Sequence, residues 1–153
     1  MISFDISQIV LTIVVVCLIL WRMSYGWENG LFAEATGLIA VIASFVAVYY
    51  SINIVGSLIE IKIGSALSKI GYLVVAFVVY KIMTAIANAF RKLKNIPIIG
   101  SADRFLGGLL GIAEACLIIA LIEYVTDIAI VSTVLTTFYE LLHYIQKTFR
   151  KLL

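Results

Sequence analysis

Four long apolar runs, separated by short polar or glycine-bearing segments, dominate the chain. A membrane-spanning helix needs about 20 mostly apolar residues, and each run meets that length. The first extends from Ile6 to about Met23, bounded by Asp5 and Arg22, with Trp21, Tyr25 and Trp27 gathered at its far end. Amphipathic rings favour the membrane–water interface. Gly26-Trp27-Glu28-Asn29-Gly30 predicts a tight turn, and the second run follows from about Phe32 to Val55. The more polar segment Gly56–Ser68 predicts a connection with a short interfacial helix. The third run covers about Lys69 to Phe90 and the fourth about Phe105 to Val125. Between them, Pro97 lacks a donor and Gly100 is flexible, so both interrupt helix. Ser101 or Asp103 then caps the free amides of the fourth helix, and Asp103 suits its positive end.

No glycine or proline follows Gly111, so helix can continue to the C-terminus. Val131, Leu135, Phe138, Leu142, Ile145, Phe149 and Leu152 recur at alternating spacings of four and three, a seam with a period of about 3.5 residues. Three readings stay open for this tail: an amphipathic helix lying on the membrane, a self-association helix, or a fifth, poorly apolar span. The expected fold is therefore all-α: an integral membrane bundle of four transmembrane helices in two hairpins over residues 1–125, then a C-terminal amphipathic helix over 126–153.

Composition supports lipid as the solvent. Hydrophobic residues make up 63% of the 153 and charged residues 13%, against about 45–50% and about 25% in soluble domains. A small soluble fold has too much surface to hide that share. The net charge of +2 gives no nucleic-acid footprint. No basic n-region or small-residue cleavage site marks a signal peptide, so the first run is expected to stay as a span. Cys17 and Cys116 lie apart in apolar runs and read as small hydrophobes. Positive residues favour the cytoplasmic side. Arg22, Arg91, Lys92, Lys94 and Arg104 put the first turn and the connection between the third and fourth runs there, although Lys147, Arg150 and Lys151 in the tail weigh the other way.

Charges inside a membrane are costly and need partners or water, about 2.5–3.5 kcal/mol for Lys or Asp at the centre. Lys81 and Glu114 sit near the middles of the third and fourth runs, so antiparallel packing places them at similar depth. They are expected to form a buried ion pair, serving either helix register or an ion-linked site. Glu34 and Glu123 lie nearer the ends and are expected to reach an interface. Asp103 and Arg104 mark the membrane boundary, as cap and headgroup contact or as a partner's docking point. Gly107, Gly111 and Ala115 put small residues on one face, where helices in lipid approach closely. His143 has no second ligand near it. The pattern predicts no metal site, cofactor or catalytic arrangement.

These motifs resemble one family. Asp103-Arg104-Phe105-Leu106-Gly107-Gly108-Leu109-Leu110-Gly111 is similar to a junction in the colicin V production (CvpA) family, Ile96-Pro97-Ile98-Ile99-Gly100 fits its preceding loop, and Gly26-Trp27-Glu28-Asn29-Gly30-Leu31 resembles its first turn. Glu28 and Asn29 stand where that turn usually carries basic residues. The resemblance covers about residues 1–125. It implies a multi-pass protein of the bacterial cytoplasmic membrane that supports toxin production or secretion, or envelope homeostasis. It supplies no catalytic residues. The expected partners are the lipid bilayer and further copies of the chain or other membrane proteins. The competing expectation is a subunit of a small oligomeric channel or transporter with its ion-linked site at Lys81 and Glu114.

Overall fold

In the computed structural model the described residues form four helices: α1 (Ile6–Ile63), α2 (Ser65–Lys94), α3 (Gly100–Thr126) and α4 (Ile130–Leu152). The structure describes residues 5–94 and 100–152, without the side chains of 57–63, 90–94 and 151–152. Pro97 and the side chains of Lys62, Arg91, Lys92, Lys94, Lys151 and Leu152 lie outside the described residues. Among the described residues three helices are long and apolar enough to cross a membrane: Ile6–Gly56, Ser65–Ala89 and Gly100–Thr126.

The first turn is sharper than the sequence suggested. Helix runs through Gly26-Trp27-Glu28-Asn29 and breaks at a single residue, Gly30, with φ 79° and ψ 175°. A residue without Cβ enters that region at little steric cost. The expected connection over Gly56–Ser68 is also different. α1 stays helical to Ile63 and one left-handed glycine, Gly64 (φ 87°), separates it from α2.

At Gly30 the two arms of α1 fold back, so that both lie along α3. Val15 of the first arm packs with Ile119, and Val48 of the second packs with Leu121 and Val125. The first arm thus runs antiparallel to α3 and the second parallel to it. One stripe of the second arm is buried: Gly30, Glu34, Gly37, Val41, Ser44 and Val48, spaced three or four apart, as a single helix face requires. α2 packs mainly on α1, with Tyr72 and Ala76 joining the Val48 cluster. It touches α3 only lightly.

α3 ends where Asp127 turns left-handed (φ 58°). The Lys69 ammonium donates to the carbonyl of Thr126 at 3.0 Å and to Asp127 Oδ2 at 2.8 Å, so a cation neutralises the negative end of the helix. Glu123 Oε2 accepts the Val131 amide at 2.9 Å, which satisfies one free donor at the start of α4. Ile130 and Val134 pack against the first arm and α3, and Thr137 is buried. The seam residues Val131, Leu135, Phe138, Leu142, Ile145 and Phe149 all lie on the exposed side of α4.

Candidate functional site

The junction of α3 is built against the bend of α1. A Cβ on Gly107 would run into the Gly26 carbonyl oxygen and stand 2.9 Å from Gly30 Cα, and a Cβ on Gly26 would strike Gly107 in return. A Cβ on Gly111 would strike the Arg22 carbonyl oxygen. The two backbones therefore touch, an approach open only to glycine. Ala115, one turn further, is fully buried. Trp27 and Phe105 meet edge to face at 6.4 Å beside this contact.

Asp103 does something its own helix does not require. Its Oδ1 accepts the Leu31 amide at 3.1 Å, 72 residues away in sequence. The break at Gly30 leaves the second arm with free amides, and α3 supplies an acceptor for one of them. A side chain at Gly30 would collide with this same carboxylate. Arg104 points into the exposed surroundings.

Just inside the glycine contact lies a buried charge cluster. Arg22 Nη2 pairs with Glu34 Oε2 at 2.9 Å and also with Glu114 Oε2. Glu114 is 0% exposed, Glu34 1% and Arg22 8%. Tyr80 of α2 donates its hydroxyl to Glu114 Oε1 at 2.9 Å. The Arg22 guanidinium also lies over the Tyr25 ring at 5.2 Å. Two carboxylates thus share one nitrogen of one guanidinium. Arg22 Nε has no hydrogen-bond partner. Gly37 makes room for this carboxylate, since a Cβ there would collide with it.

The expected Lys81–Glu114 pair is corrected by this arrangement. Depth was matched, but α3 is seated on α1, so Arg22 reaches Glu114 first. Successive helix positions point about 100° apart, and α2 turns Tyr80 toward Glu114, which leaves Lys81 aside with its ammonium 5.5 Å from the Phe77 ring centre. Glu34 is likewise corrected. It is buried in the bundle and not hydrated, because the bend at Gly30 brings it beside Arg22. Arg22 itself is interior rather than a boundary charge. Tyr80 and Arg22 are the members that sequence reading missed. The available signal was an arginine and a glutamate flanking a glycine bend.

Lys81 borders the cluster without joining it. Together with Arg22, Tyr25, Glu34, Thr36, Tyr80, Thr84 and Asn88 it lines a polar cleft of about 220 Å3 between α1 and α2. On the other side of Arg22, Tyr80 and Lys81 lies an apolar cavity of about 350 Å3, walled by Val41, Leu73, Phe77 and Leu121. Among the described residues no group of three His, Cys, Asp or Glu side chains stands close enough to hold a metal. Cys17 and Cys116 are free thiols on exposed helix surface.

No curated protein and no solved structure matches the chain. A family model does, over residues 11–145, which takes in both arms of α1, the Asp103–Gly111 junction, the charge cluster and most of α4. The chain belongs to the colicin V production protein family.

Proposed function

We propose that this chain crosses the bacterial inner membrane four times and supports toxin production or secretion, or envelope homeostasis, as a non-catalytic assembly component that associates with itself or with other membrane proteins. The observation that carries this reading is the buried Arg22–Glu34–Glu114–Tyr80 cluster, drawn from both arms of α1, from α2 and from α3, inside helices whose outer faces are apolar. Charges placed this way cross-link the helices, and an apolar exterior suits lipid or a partner's spans. The 51-residue apolar stretch of α1, broken at Gly30, is long enough for two crossings. The Gly30 bend and the α2–α3 connection then share the cytoplasmic side. α4 begins beside the Lys69–Asp127 pair, an interface feature, and lays its exposed seam on the membrane.

The test is genetic and hydrodynamic. A strain lacking the protein loses toxin output or becomes sensitive to detergent, wild type restores it, and Arg22→Ala does not. A strictly monomeric mass in detergent would remove the self-association part. The polar cleft beside Lys81 favours a second reading, a channel or transporter subunit, because a polar face on a spanning helix needs water or protein against it. Ion flux through proteoliposomes separates the two.

A further inference from the structure

The charge cluster does not balance. Arg22 contributes one positive charge, and Glu34 and Glu114 contribute two carboxylates to the same guanidinium nitrogen. An uncompensated charge among buried side chains is expensive, so a further positive charge belongs at this site. Among the described residues, the remaining titratable groups facing it are Tyr25 from the first arm of α1, and Tyr80 and Lys81 from α2. Lys81 is the one nearby cation among them, and its ammonium rests on the Phe77 ring instead.

Two observations point to an exchangeable occupant. Glu34 and Glu114 are both buried, and their Oε2 atoms converge on the single Arg22 Nη2 instead of each having its own cation. The site also has an approach. Lys81, Thr84 and Asn88 stand one or two turns apart on α2 and wall the polar cleft opposite Glu34 and Thr36. They lead about 10 Å, at 1.5 Å per residue, from the cluster toward the Gly30 end of the bundle.

We propose that Glu34, Glu114 and the Tyr80 hydroxyl hold one exchangeable monovalent cation, a proton or an alkali ion, admitted through the Lys81–Thr84–Asn88 cleft from the Gly30 end. This rests on the reading that α1, α2 and α3 cross the membrane. Lys81 stands where the cleft meets the cluster and repels a second cation, which limits the site to one.

The test uses the full chain in lipid nanodiscs. Infrared spectra of the wild type show a buried protonated-carboxyl band that Glu34→Gln or Glu114→Gln removes, which is the proton outcome. Alternatively, sodium or potassium chloride raises the unfolding temperature where choline chloride does not, and Glu114→Gln abolishes the rise, which is the alkali-ion outcome. Absence of both signals in the wild type overturns the proposal. If both emerge only in Lys81→Met, Lys81 is itself the neutralising cation, which overturns it equally. Access is tested in vesicles with Cys17→Ala and Cys116→Ala in place. A membrane-impermeant thiol reagent modifies Thr84→Cys and Asn88→Cys from one side and leaves the outward-facing Ile82→Cys unmodified. Inert cysteines at all three positions refute the cleft, whereas modification of Ile82→Cys refutes the membrane reading beneath it.

Discussion

The two ends of this bundle are held by different means. Near Gly30 the helices meet through bare backbone, a carboxylate cap and a shared guanidinium. At the other end Val48, Leu121 and Val125 pack as ordinary aliphatics, as do Val15, Ile119 and Ile130. In water the second end would supply much of the stability. In lipid, aliphatic side chains gain little by leaving one apolar phase for another, so close packing and polar contacts carry helix association. The difference teaches that position and partner choice are decided at the Gly30 end.

Substitutions at each end can break that contrast. Arg22→Ala leaves two buried carboxylates facing one another and is expected to cost the most, about 3–5 kcal/mol, seen as loss of folded protein in detergent or as a lowered unfolding temperature. A variant as stable as wild type would show that the cluster does not hold the helices. Gly107→Ala is next, at about 1–3 kcal/mol for overpacking, because the added Cβ meets the Gly26 carbonyl oxygen. Gly71→Ala is its control, since nothing lies within 4 Å of a Cβ there; equal losses in the two would discredit the backbone contact. Asp103→Ala removes the Leu31 cap and should cost about 1 kcal/mol, with faster hydrogen exchange at the Leu31 amide as its signature. Val48→Ala at the aliphatic end should cost least, below the about 2–5 kcal/mol of large-to-alanine truncations in soluble cores. A larger loss there than at Gly107 would reverse the contrast.

How much of this was legible in sequence follows the same division. The helices were readable, because apolar runs bounded by charges and glycines need no knowledge of partners. The spacing of Gly107, Gly111 and Ala115 on α3 was visible for the same reason, and all three are buried. The charge partners were not. Depth along a span places Glu114 level with Lys81, but it does not say which neighbour α3 sits on or which way each helix is rotated. One residue of rotation on α2 exchanges Tyr80 for Lys81. The bend at Gly30 decides the rest, since a looser turn over Gly26–Gly30 would have left Arg22 and Glu34 apart on the two sides of that turn. The apolar seam of α4 was visible too, and the structure adds that Ile130, Val134 and Thr137, not the seam, face the bundle.

The hydrogen bond from Leu31 to Asp103 bears on the order in which the protein is made. A ribosome delivers the bend at Gly30 long before it delivers the acceptor, 72 residues later in the chain. Until then the first amide of the second arm has only headgroups or interfacial water to bond. The early hairpin is therefore an unfinished piece, and the arrival of α3 locks a geometry already laid down. An insertion machinery that releases α1 into lipid before α3 emerges would release it with its bend unsecured. Retaining the two together until translation has passed Gly111 would avoid that, and it gives the timing of synthesis a part in the folding of this chain.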